Sequence, residues 1–335
     1  MTVVKIPGSD SKCKSETESL NLMYRDFLLC NANSAALWWF DMFDGWFRSE
    51  GMMEAVSRMI EAAAMLGKID THSVADIAVF VEGESMYRAR KSARLATVCL
   101  SDIRRTLAEC GCAYDLYSIC DLHRVDMKKY KLVAFVNQYD IPKERRCEIE
   151  NRLRASGATA LWLYAPDYAT EGKCLVSRLS DTVGITVKKG RASHGGIVYG
   201  GKVSRYELAP PYFEVVDPEA EPLAYFEDGA VAAAFKGCDG YSSVYVATCN
   251  LPSELFRYIA ERAGAFIYSR DERAYVYPNS TTVGAYNATD STAEICLPTD
   301  GLYRDLIEGG IYECKNQRLT WKPKTIRAYL FMKEE

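Results

Sequence analysis

Apolar residues recur at helical spacing soon after a polar start. Leu20, Met23, Tyr24, Phe27 and Leu28 predict an amphipathic helix over residues 18–31, ended by Asn31 to Ser34. Ala35 to Met42 is a compact apolar run of strand length, and Asp44-Gly45 is a turn signal. Ser49 suits the N-cap of a second helix over about 50–66, with Met52, Val56, Met59, Ile60 and Ala63 on its inner face. From residue 74 strands and helices alternate. DIAVFVEG (76–83), YDLYSICDL (114–122), YKLVAFVNQ (130–138) and ATALWLYAP (158–166) read as strands. Residues 92–111 and 142–157 read as helices, each closed by a glycine. Near-continuous apolar strands separated by helices predict a parallel sheet covered on both faces, a doubly wound α/β domain.

The pattern then loosens. KKGRASHGGIVYGGK (188–202) reads as a Gly-rich connecting loop, followed by strands returning to the sheet and a helix over 251–264. Beyond it, short alternating runs broken by turns predict a small antiparallel β domain.

Composition narrows the function classes. A net charge of −4 over 335 residues gives no basic footprint for nucleic acid. No run of eighteen apolar residues could span a membrane, and the first residues hold no apolar core of a secretion signal, so the expected address is the cytoplasm. Twelve scattered cysteines with no C-x-x-C pair, and only three histidines, predict no metal site and reduced, mostly buried thiols.

Candidate chemistry is sparse. The first α/β strand ends in VEGESMYRARKS, without the G-x-G-x-x-G that cradles a pyrophosphate, so no nucleotide cofactor is expected. The fourth strand turns through Leu163 to Tyr168, where a nucleophile elbow needs Ser or Cys between small residues; Ala165 and Pro166 stand there instead. Glu82 and Glu84 have the chemistry of an acid and a base, or simply pair with Arg88, Arg90 and Arg94. The loop around His194 either offers anion-binding backbone donors or merely connects strands. The segment ALWWFDMFDGWF (36–47) holds three of the five tryptophans. As a strand it is bulky on both sides, suited to burial on both, and its carboxyl end delivers Asp41, Asp44 and Trp46 into a loop. Rings beside carboxylates fit a sugar, which stacks its C–H face and donates its hydroxyls; core packing is the competing explanation.

Order and spacing of several segments resemble a known family. RDF (25–27) and LWWFDMFDGWF resemble the last barrel strand of β-galactosidase-like glycoside hydrolases of the family 42 kind. The match continues through VFVEGESMYR, CAYDLYSICDL, KLVAFVNQYDIPKE, LWLYAP and RYIAERAGAFIYS. The resemblance implies three domains: a partial (β/α)8-barrel remnant over 1–70, a trimerisation domain over 74–268 with a flavodoxin-like, class I glutamine amidotransferase-like fold, and a β-sandwich-like domain over 269–335. A complete barrel takes about 250 residues. Members of the family carry two catalytic glutamates, after the fourth and at the seventh barrel strand. Neither has a counterpart in these residues, so no catalytic residue is assigned. Trp39, Asp41 and Trp46 remain as implied sugar contacts. The implied partners are further copies of the chain, as a trimer, or a separately encoded barrel portion. The alternative is a self-standing oligomeric protein that binds carbohydrate or serves assembly.

Overall fold

The structure, a computed structural model, describes residues 13, 15–40, 47–88, 95, 97–170, 172–191, 194–205, 210–249 and 251–334. The chain divides into two compact units. One is Ala75–Ile267, and the other joins the chain up to Val74 with the chain from Tyr268 onward.

Two helices come first, α1 (Glu16–Ala32) and α2 (Glu50–Leu66). Each starts at a serine whose hydroxyl accepts an otherwise orphaned backbone N–H, Ser15 from Glu18 and Ser49 from Met52. The buried face of α2 is Met52, Ala55, Met59, Ala62 and Leu66. It is therefore rotated from the sequence expectation, which put Ile60 and Ala63 inside.

The Ala75–Ile267 unit is built on one mixed sheet. Its first strands and helices are β1 (Ile77–Val81), α3 (Ile103–Glu109), β2 (Tyr114–Ser118), β3 (Leu132–Phe135), α4 (Lys143–Ser156) and β4 (Thr159–Leu163). A small hairpin of β5 (Ala169–Thr170) and β6 (Lys173–Cys174) precedes α5 (Val176–Val183). Then come β7 (Val187–Lys189), β8 (Ile197–Tyr199), β9 (Lys202–Ser204), β10 (Phe213–Val215), β11 (Glu221–Phe226), β12 (Val231–Gly237), β13 (Ser242–Val246) and α6 (Ser253–Arg262). The main path runs β2-β1-β3-β4-β13-β12-β11-β8-β9. Neighbours from β2 to β13 are parallel, and the remaining pairs along the path are antiparallel. Register aligns Tyr117, Phe80, Phe135 and Trp162 across four strands. Their rings form a ladder, with Phe80–Phe135 centroids 5.7 Å and Phe135–Trp162 centroids 4.2 Å apart, both stacked. Such contacts add to the area buried and pin the strands laterally.

Several expectations give way here. Residues 188–202 are not one loop: they take in the end of β7 and all of β8, which forms a hairpin with β9 turned at Gly200 and Gly201, both at positive φ. The predicted helix over 92–111 is present among the described residues, but it opens as a π-helical turn, Thr97–Asp102, before it continues as α3. Five of the twelve cysteines are buried rather than most of them, and all twelve are free thiols.

The other unit closes on seven antiparallel strands: β14 (Ala274–Pro278), β15 (Thr282–Asn287), β16 (Ala293–Cys296), β17 (Gly301–Asp305), β18 (Ile311–Lys315), β19 (Arg318–Trp321) and β20 (Ala328–Lys333). Their order is β14-β15-β20-β17-β18-β19-β16, and the first and last strands approach each other. The sheet is thus a single layer curled towards closure, where the resemblance implies a β-sandwich-like domain. Tyr24, Phe27 and Leu28 of α1 share a core with Ala328 and Leu330 of β20. Gly284 on β15 makes room for α1, since a Cβ there would lie 3.1 Å from Leu28 Cβ. Asn21 ties the helix down: its Nδ2 donates to Thr325 O, and its Oδ1 accepts from Arg327 N. Residues assigned by sequence to the first and last domains thus share one core.

Candidate functional site

The site singled out by sequence begins where α1 ends. Ser34 takes a left-handed φ of 49°, and Ala35 N–H donates to Cys30 O, turning the chain back along the helix pair. Residues 35–40 form no strand, although the sequence predicts one over 35–42. A strand needs a neighbour to take its N–H and C=O groups, and none of the described residues supplies one. Side chains nonetheless alternate. Leu37 and Trp39 turn inward, and Trp39 lies with its ring centroid 6.4 Å from that of Phe47. Trp38 and Phe40 face out, 72% and 59% exposed, with ring centroids 5.5 Å apart edge to face. Burial on both sides, the expectation for this segment, is therefore wrong for one side.

Leu37 and Trp39 line a groove of about 600 Å³ with Phe27 and Cys30 of α1 and Met59, Ile60, Ala63 and Leu66 of α2. Asn31, Ser34, Asp70 and Thr71 give it a polar rim, where the Ser34 and Thr71 hydroxyls lie 3.2 Å apart. An aromatic and aliphatic floor with a polar rim suits a ligand with a C–H face and hydroxyls. Of the three implied sugar contacts, Trp39 is placed at this groove; Asp41 and Trp46 lie outside the described residues. The outward pair Trp38 and Phe40 was not singled out. Its signal in the sequence was the alternation itself, which tells two faces apart without telling which one is covered.

The other candidates are structural. After β4, Tyr164 and Asp167 hold φ values of 66° and 54°, the left-handed strain that a nucleophile elbow also shows. Tyr164 is buried, its hydroxyl donates to Pro211 O at 2.9 Å, and burial pushes its pKa far up. The bend carries no nucleophile; it aims Asp167 inward. That carboxylate is fully buried and accepts from Arg146, Arg178, Thr182 and the Ile141 N–H.

Glu82 is buried and bonded to Arg145 at 2.6 Å and to the Ser85 hydroxyl. Burial raises its pKa, with Ser85 and Arg145 opposing. Glu84 is exposed, and its charge adds to the upward push on Glu82. The partner of Glu82 comes from α4 rather than from the arginines just after it; the side chains of Arg88, Arg90 and Arg94 lie outside the described residues. His194 is buried, stacked on Phe226 at 4.9 Å, with Nδ1 2.6 Å from Asp228 Oδ2 and Nε2 3.7 Å from Glu214. The His194 contact holds the Asp228 carboxyl below its usual range. Among the described residues no group of three His, Cys, Asp or Glu side chains could hold a metal ion, and no helix is long and apolar enough to cross a membrane.

Neither a protein-family model nor a curated protein matches the sequence. Solved structures do share its fold. The GH42 β-galactosidase Gan42B from G. stearothermophilus superposes with a TM-score of 0.63 at 14% identity, over 88% of this chain and 45% of its own. The cold-adapted β-galactosidase from Rahnella sp. R3 gives 0.62 at 16% identity, over 98% of this chain and 53% of its own. An α-L-fucosidase, isoenzyme 2 from Paenibacillus thiaminolyticus, gives 0.58 at 10% identity, over 94% and 57%. At such identities the likeness is one of fold. The fold is GH42-like, a mixed α/β sheet accompanied by a separate, nearly closed antiparallel sheet. The chain spans about half the length of these structures.

Proposed function

We propose that these 335 residues form the non-catalytic, assembly portion of a β-galactosidase-like glycoside hydrolase. In that reading any hydrolysis is performed with a catalytic barrel contributed by other residues. The observation that carries it is the run 35–40, which presents Trp38 and Phe40 outward with no strand beside it among the described residues. Fully burying one such side chain is worth roughly 1.5–3 kcal/mol, so the pair favours a partner that covers it. A neighbouring barrel strand would take up the backbone groups and the two rings together. The inward Trp39, with Asp41 and Trp46, would then contribute to a sugar-binding face.

The Ala75–Ile267 unit has the role of a trimerisation domain here. Its parallel strands β2-β1-β3-β4-β13 follow the 2-1-3-4-5 order of flavodoxin-like sheets, which supports that fold for it. A buried tyrosine at the strained turn after β4 supports a role other than nucleophilic catalysis.

Sequencing and translating the DNA upstream of the Met1 codon is the test. A reading frame of seven strand–helix units, with glutamates ending the fourth and seventh strands, is the expected result. An unrelated gene or a promoter there overturns the proposal and gives the lead to a self-standing oligomeric binding protein.

A further inference from the structure

Helix α2 carries two apolar stripes, and the fold uses one. The stripe packed into the core is Met52, Ala55, Met59, Ala62 and Leu66, spaced alternately by three and four residues. Met53, Val56, Ile60, Ala63 and Gly67 repeat that spacing one position on. Met53 is 55% and Ile60 62% exposed, Ala63 and Gly67 are exposed, and Val56 is half-buried. The solvent face of a surface helix is normally polar, whereas an apolar stripe repeating every 3.5 residues or so is the seam along which one helix packs on another. The described residues leave Met53 and Ile60 of this second seam to solvent.

Size and charge along the seam select its occupant. Its side chains are large at the start, at Met53, and smallest at the end, at Ala63 and Gly67, with Ile60 midway. A second α2 laid antiparallel about Ile60 matches these ends, because Met53 of each copy enters the space over Ala63 and Gly67 of the other. A parallel copy would set methionine on methionine and leave a gap between the glycines. Charge agrees with the antiparallel choice. Glu50 opens α2 and Lys68 follows its end, roughly five turns of 3.6 residues apart, so the helical period puts both on one flank of the seam. Antiparallel pairing brings Glu50 of each copy beside Lys68 of the other, at both ends of the contact; parallel pairing brings like beside like. Glu54 and Arg58, further round the helix, are already paired with each other at 2.6 Å. The contact uses the same patch on both copies, so it closes at two.

We propose that this outward seam of α2 is a self-association face, joining two copies of the chain antiparallel about Ile60. The inference does not rest on the function proposed above, and association through the Ala75–Ile267 unit would not answer to changes in α2. Sedimentation velocity of the full chain over a range of concentrations is the test, with far-UV circular dichroism to show that each variant is folded. The parent protein is expected to double its mass as concentration rises. Ile60→Glu sets two carboxylates face to face at the axis and should weaken the doubling about a hundredfold. Glu50→Lys and Lys68→Glu, both at exposed positions, should each weaken it several-fold. A mixture of those two variants, or the chain carrying both changes, should recover it, since opposite charges then meet again. No doubling at any concentration overturns the proposal and leaves the seam to a different partner. Doubling that ignores Ile60→Glu overturns it as well, and so does a charge-swapped mixture that fails to recover.

Discussion

LWLY at residues 161–164 and LWWF at residues 37–40 are nearly the same sequence with opposite fates. The first is the end of a central strand, flanked by β3 and β13, with Trp162 1% exposed and stacked on Phe135. The second forms no strand and is unpaired among the described residues, with Trp38 72% exposed. An apolar run is competent to be a strand; neighbours on either side make it one. The polar environment follows the same division. LWLY leads into a bend whose strain is held by Asp167 and its arginines, whereas LWWF leads from α1 through a single left-handed serine.

Five predictions break or sharpen this contrast. The largest effects belong to LWLY and the bend after it. Trp162→Ala should lower the unfolding free energy by about 3–5 kcal/mol through the cavity it leaves. Asp167→Ala should cost a similar amount, about 3–5 kcal/mol, because it strands the charges of Arg146 and Arg178. Urea unfolding of each variant checks both, and a loss under 1 kcal/mol in either would mean that the bend relaxes easily.

Next comes the packing of the helix that carries the aromatic run. Gly284→Ala pushes a methyl group against Leu28 and should cost about 1–3 kcal/mol through overpacking. A neutral result in thermal unfolding would show that α1 sits loosely on its sheet, and with it the start of LWWF.

A smaller effect concerns pH and the α/β unit alone. Burial of Asp217 opposes its charge, but hydrogen bonds from Thr186 N–H, Lys236 and Glu219 N–H outweigh it and hold the pKa at about 2. The folded-state value is depressed, so this carboxylate's contribution is complete above the unfolded pKa, close to 4. It is lost as pH falls towards 2. The acid-induced fall in stability between pH 4 and 2 should be shallower in Asp217→Asn than in the parent protein. Parallel acid titration curves would remove Asp217 from the account.

The smallest expected change is at LWWF itself. Trp38→Ala with Phe40→Ala should leave stability within about 0.5 kcal/mol per substitution, since neither ring is buried. A larger loss in thermal unfolding would show that the rings are already covered in solution by another copy of the chain, and concentration dependence of the midpoint would identify that case.

Much of the local structure was legible beforehand because it rests on local causes. Spaced apolar residues marked α1, the same spacing behind the Ser49 cap marked α2, and Gly157 at φ 69° marked the end of α4, whereas the Ser15 cap of α1 was not read. The β-rich run of short strands after α6 was likewise signalled by alternation and turns. Long-range pairings were not legible. Nothing near Glu82 in sequence names Arg145, and nothing in KKGRASHGG announces that His194 would be buried against Phe226 and Asp228. The groove at Trp39 depends on how α2 is rotated, which placed Ile60 and Ala63 along it instead of in the core.

By itself, then, the sequence determined periodicity, caps, turns and the alternation of two faces, because these depend on neighbours a few residues away. Tertiary structure alone decided which of two similar aromatic runs became a strand and which carboxylates found arginines. Burial and pairing are properties of what lies alongside, and the chain can specify that only by folding.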